Sequence, residues 1–160
     1  MIKLIGSIFL IISGTGVGNL MYNSFKRKIL ILKEFKEFVI FSKNEIKYKL
    51  SPPQKILYDF NSNELNEYLN KCKSFLKKGE IFQIAWEKSF ESNTDVHKII
   101  RNFGKDFGSH NIENQILLCD LTIENLNLNI KNFTKKSENQ EKIFLTLGTC
   151  AGAILSIIFF

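Results

Sequence analysis

Apolar positions are spread unevenly along this chain of 160 residues. No charged residue occurs between Leu4 and Phe25, a run of 22, or between Ile143 and Phe160, a run of 18. About 20 apolar residues carry a helix across the hydrocarbon core of a bilayer. At about 1.5 Å per residue the second run reaches about 27 Å, just long enough. Two such runs are hard to bury in so small a core. They are expected to form transmembrane helices over 1–25 and 143–160, flanking a helical domain over 26–142.

Between the two ends strand patterns are poor and helical spacing is good. Phe25, Ile29, Leu32, Phe35, Val39, Ile46 and Leu50 recur mostly at three- and four-residue steps. This first helix is expected to end at "LSPPQ", with Ser51 as the N-cap of the next, Pro52 at its first position and Gln54 closing a capping box. Asn61-Ser62-Asn63 breaks and recaps the chain, and Lys77-Lys78-Gly79 marks a helix end with glycine just beyond it. "EIFQIAWEKSF" predicts another helix, with Trp86 in the core. Ser92-Asn93-Thr94 caps the one after, which runs to Phe107-Gly108. The last helix has a heptad seam of Ile112, Ile116, Cys119, Ile123, Leu126, Ile130 and Phe133, continuing through Ser137 and Gln140 to Phe144 and Leu147. With Asn111 as cap it would run unbroken to Phe160, about 75 Å. Leu117, Leu121 and Leu128 lie beside the seam. They are expected to widen the core stripe, a binding face being the alternative. The fold class is all-α: a cytoplasmic helical bundle between two membrane helices.

Charge gives the orientation. Lys26, Arg27, Lys28, Lys33 and Lys36 follow the first apolar run, and Lys131, Lys135, Lys136 and Lys142 precede the second, with Lys3 alone beyond them. The excess of positive charge belongs on the cytoplasmic side, so the middle of the chain faces the cytoplasm and both termini lie outside. The net charge of +6 does not imply a nucleic-acid partner, because lysines alternate with glutamates instead of forming a one-sided stripe. A composition rich in Lys, Asn, Ile and Phe reflects A/T-rich codons. Cys72, Cys119 and Cys150 are odd in number and lack metal-ligand spacing, which fits a reducing compartment. Cys119 and Cys150 read as small core residues.

The segment "ISGTGVGNLMYNSFKRK" admits three readings. A dinucleotide loop would need glycine at Asn19 and a preceding strand, and a Walker-type loop would need Gly-Lys-Ser/Thr at its end. A signal peptide would be cleaved after Gly16, but the apolar run continues past the glycines to a basic stop. The favoured reading is a membrane helix with Gly14 and Gly18 on one packing face, matched by Gly148 and Gly152 in the last helix. Glycine is also simply common in membrane helices. Catalytic motifs are missing. His97 and His110 stand thirteen apart, His97 reads as a surface residue, and there is no His-Glu-x-x-His, Cys-x-x-Cys or nucleophile elbow. The expectation is a protein without enzymatic activity, cofactor or metal.

The whole arrangement resembles the stage III sporulation protein AB family of endospore-forming bacteria. The likeness rests on the opening "MIKLIGSIFLIISGTGVG", on "NEIKYKLSPPQKI", on "AWEKSF", on "IIRNFGKDFGSHNIENQ" and on the closing "KIFLTLGTCAGAILSIIFF". Its most specific parts are Glu45-Ile46 with Tyr48, and Phe103-Gly104 followed by Phe107-Gly108 and Gln115. The family usually has glycine where Lys49 stands, leucine at Phe107 and Pro53, and aspartate near Asn111. The soluble region is similar to the cytoplasmic domain of type II secretion and type IV pilus platform proteins. The resemblance implies a mother-cell membrane protein that helps build the channel between mother cell and forespore. Its partners would be the secretion-type ATPase encoded beside it and other membrane channel components. Platform relatives carry two such domains and this chain one, so compensation by a homo-oligomer stays open. Glu45, Tyr48 and Gln115 become candidates for structural or partner-contact roles, with a structural role expected for Tyr48. The alternative reading is an exported helical binding protein, cleaved after Gly16 and held by its C-terminal helix.

Overall fold

Local chemistry sets the helix ends. In the computed structural model the described residues form helices and no strand: α1 (Ile2–Lys49), α2 (Pro53–Asp59), α3 (Asn66–Lys77), α4 (Phe82–Ser89), α5 (Asp95–Asp106) and α6 (Ile112–Phe159). The structure describes the backbone of residues 2–92 and 94–159, and the side-chain surroundings of 23–92 and 94–139 with Ile143 and Thr146. The last turn of α3 closes as a Schellman motif around Gly79 at φ +89°: Gly79 N–H donates to the Leu76 carbonyl and Glu80 N–H to the Phe75 carbonyl. Thr94 caps α5 by accepting the His97 N–H, and Asn111 caps α6 by accepting the Asn114 N–H at 3.0 Å. The expected cap at Ser51 does not form. α2 begins at Pro53 after Pro52 without a side-chain cap, because the Ser51 hydroxyl is spent on Glu45. Ahead of α3, Glu34 of α1 does the work of a cap: its Oε2 accepts the N–H groups of Asn63 and Glu64 at 3.0 and 2.8 Å and the Ser62 hydroxyl.

The chain divides into two compact units, Leu30–Ile130 and a second made of Met1–Ile29 with Lys131–Phe160. In the first, α2 packs on α3, α3 on α4 and α4 on α5. The core gathers Phe35 and Phe38 of α1, Ile56 and Leu57 of α2, Leu69 of α3, Trp86 of α4, Phe103 of α5 and Leu126 of α6, all buried. Trp86 is central, as its helix predicted. Its ring centroid lies 5.4 Å from that of Phe38, 5.5 Å from Phe82 and 4.8 Å from Phe90, and Nε1 donates to the Ile100 carbonyl at 2.9 Å, so its one polar atom is satisfied. Gly104 lets α5 come close: a Cβ there would sit 2.0 Å from Trp86 Cδ1.

The heptad seam of α6 has its partner in α1. Lys36 Nζ donates to Asn127 Oδ1 at 3.3 Å and Lys43 Nζ to Asp120 Oδ1 at 2.5 Å. The two pairs are one heptad apart on each helix and run in opposite directions, which defines an antiparallel register. Cys119 and Leu126 are buried along it.

In the second unit α6 continues without a break, and Ser137 is buried on it. Among the described residues no helix is long and apolar enough to cross a membrane. The expected membrane runs, with Gly14, Gly18, Gly148, Gly152 and Cys150, lie outside the described side chains, apart from 23–25, Ile143 and Thr146.

Candidate functional site

The "NEIKYKLSP" segment forms a tight corner at the end of α1. Leu50 takes the left-handed conformation at φ +52°, and its N–H donates back to the Ile46 carbonyl at 3.2 Å. The buried Glu45 holds the corner. Its carboxylate accepts the Lys49 ammonium at 2.6 Å and the Ser51 hydroxyl at 2.9 Å, while the Ser51 N–H donates to the Glu45 carbonyl at 3.3 Å. The hydrogen bond from Lys49, then that from Ser51, hold the Glu45 carboxyl below its ordinary range. These contacts make Glu45 the polar centre of the corner. Tyr48 is different: it is 72% exposed and adds nothing to the core, so packing gives no structural role to it. Gln115 donates from Nε2 to the His110 carbonyl at 2.7 Å and steadies the turn into α6.

The side chains beside the α6 seam depart from expectation. Leu117, Leu121 and Leu128 are 55%, 58% and 60% exposed, so they do not widen the core stripe. The reason is geometric. At about 100° per residue the three fall within an arc of roughly 40°, on the side away from Cys119 and Leu126. On one edge of this ridge stand Glu113, Asp120 and Glu124. On the other, a groove of about 260 Å³ separates α6 from α5, lined by Ile99, Phe103 and Asp106 against Leu118, Leu121 and Asn125. A second hollow of about 230 Å³ continues it past His110, Asn114 and Leu117. The groove is shallow, with Ile99, Phe103, Leu118 and Leu121 beside Asn102, Asn125 and Asp106, a form suited to holding a side of another macromolecule. The acidic edge of the ridge is legible in the sequence as an absence: no lysine or arginine occurs from Asp106 to Ile130. The total charge conceals it.

Three buried groups carry chemistry of their own: His97, Cys72 and Cys119. His97 is buried, 6% exposed, where the sequence suggested a surface residue. It sits in the first turn of α5 against Tyr68 and Phe90, with Nδ1 on the Thr94 hydroxyl. Its Nε2 is buried with no hydrogen-bond partner. Burial, and secondarily the Arg101 charge, push its pKa below the ordinary value, so the ring is held neutral. Cys72 and Cys119 are free and buried, and burial pushes both thiols up to about 12, which keeps them unreactive. Among the described residues no three His, Cys, Asp or Glu side chains are grouped to hold a metal.

No curated protein and no solved structure matches the chain. The family model described as stage III sporulation protein AB matches residues 3–160, including the Glu45 corner, the Trp86–Gly104 contact and the α6 ridge. The chain therefore belongs to the stage III sporulation protein AB family and serves in stage III of sporulation.

Proposed function

We propose that the protein is a non-enzymatic platform in the mother-cell membrane, part of the channel complex between mother cell and forespore. The observation that carries this reading is the family match over residues 3–160. The apolar runs at both ends anchor the chain, and the lysines beside them keep the helical bundle in the cytoplasm. There it meets a secretion-type ATPase, while the terminal helices meet other channel components within the bilayer. The continuity of α1 and α6 supports a coupling role, because a helix that runs from the bundle into an apolar terminus carries displacement between them.

Topology tests this reading. Ser109 is exposed in the turn before α6. With the native cysteines replaced, Ser109→Cys in mother-cell protoplasts should react with a membrane-impermeant maleimide only after lysis. Reaction in intact protoplasts would place the bundle outside the cytoplasm and remove the ATPase as partner.

A further inference from the structure

Charge divides the surface of the Leu30–Ile130 unit. From Asp106 to Ile130 the chain holds four carboxylates and no lysine or arginine, in a protein whose net charge is +6. Asp106, Glu113 and Glu124 rim the exposed leucine ridge of α6, while Asp120 is taken by Lys43 of α1 at 2.5 Å. α3 and its C-cap Lys78 carry the opposite pattern, with Lys71, Lys73, Lys77 and Lys78 against Glu67. Its lysines lie over aromatic rings: Lys71 Nζ is 5.9 Å from the Tyr68 centroid, Lys73 Nζ 5.7 Å from Tyr58 and Lys78 Nζ 5.7 Å from Phe75. Lys88 of α4 reaches the same Phe75 ring at 5.6 Å. Ile84, one turn before Lys88 on α4, is exposed, as are Ile81 and Tyr58. Lys71 and Lys88 are already paired with Glu67 and Glu80, at 3.1 and 2.7 Å, which leaves Lys73, Lys77 and Lys78 to meet carboxylates from outside, their long stems covering apolar surface while the ammonium groups stay in water. One face is thus apolar with a carboxylate rim and the other apolar with an ammonium rim, and the two share no residue.

We propose that the leucine ridge of α6 docks on the lysine–aromatic face of α3 and α4 in a second copy of the chain, so that the protein self-associates head to tail. Charge complementarity selects this pairing. Ridge against ridge would set Asp106, Glu113 and Glu124 against their own copies, and lysine face against lysine face fails in the same way. Of these three pairings, the heterologous contact alone opposes unlike charges while covering Leu117, Leu121 and Leu128. Such a contact leaves one ridge and one lysine face open on every dimer, so it closes as a ring or extends as a row.

Charge exchange tests the proposal on the full-length chain in mild detergent. Sedimentation of the wild type should show species larger than a monomer that dissociate as salt is raised. Glu113→Lys with Glu124→Lys should give monomers, and so should Lys73→Glu with Lys77→Glu and Lys78→Glu. Mixing the two variants should restore assembly, because each then meets a face of opposite sign. A wild type that is monomeric at every concentration overturns the proposal, as does a mixture that stays apart. A second measurement leaves the charges untouched: Leu121→Cys and Ile84→Cys are placed on separately tagged chains lacking Cys150. A bis-maleimide should join the two kinds of chain. Joining of Leu121→Cys chains only to each other, or to a different co-purified protein, also overturns it.

Discussion

Two residues store their effects in single contacts, and both are accessible to measurement. Leu50 sits at φ +52° with its side chain 65% exposed. A non-glycine residue in this region costs about 1–2 kcal/mol, and glycine returns roughly 0.5–1 kcal/mol of that as chain entropy on unfolding. Leu50→Gly should therefore raise stability by about 0.5–1 kcal/mol, read as a higher denaturant midpoint with an unchanged slope. The two prolines after Ser51 marked the end of α1 in the sequence, but nothing in the pattern marked Leu50 as the pivot of the corner. Gly104 has the opposite sign. Its hydrogen points at Trp86, and a methyl group there, 2.0 Å from Cδ1, forces the helices apart. Gly104→Ala should cost about 3 kcal/mol, the upper end for overpacking a core. Trp86 is the only tryptophan, so intrinsic fluorescence should report the change as a red shift in the folded state. Nothing in periodicity distinguishes such a glycine from one that is merely tolerated, since the ring it meets comes from a different helix.

Elements were legible in the sequence where one turn of chain decided them. Gly79, Thr94 and Asn111 cap their helices as their types predict, because a cap needs only residues within reach of it. Ser51 was not legible, since its hydroxyl has a choice and the Glu45 carboxylate, six residues back, is the stronger acceptor. Neither was Glu34, which satisfies a turn 29 positions away. His97 belongs to the same class: the aromatic rings of Tyr68 and Phe90 that bury it come from α3 and the end of α4. Its folded pKa is lowered, so it is neutral in the fold and takes up a proton on unfolding below about pH 6.5. The stability it contributes is complete above that pH and is lost as pH falls through 6.5 toward the folded value. The melting temperature should fall between about pH 7.5 and pH 5.5. His97→Phe, which keeps an aromatic ring beside Tyr68 and Phe90, should flatten that slope. An equal slope in the variant would show that other groups set the acid sensitivity.

At the scale of the molecule, the seam of α6 was legible at Cys119, Leu126 and Ser137, which are buried along it, because heptad spacing repeats and errors in it average out; Ile112 at its start is 46% exposed, and Gln140, Phe144 and Leu147 lie outside the described side chains. The face beside the seam was not, because three leucines at helical spacing look alike whether a neighbour covers them or not. The antiparallel register supplies what the pattern lacked: α1 covers the side of Cys119 and Leu126 and leaves Leu117, Leu121 and Leu128 outward. This arrangement bears on coupling. If the ATPase moves the bundle, displacement can follow α6 only while its backbone hydrogen bonds are continuous, as they are from Ile112 to Phe159. Two glycines inserted at Ser137 rotate everything beyond by about 200° and add two residues of poor helix propensity. Both effects break the register in which Ser137 is buried. The inserted chain should still reach the membrane fraction in normal amount, since the apolar run from Ile143 to Phe160 is intact. Spore yield should fall toward that of cells lacking the protein. A normal yield with normal membrane recovery would exclude α6 as the coupling element and leave the bundle as a passive tether.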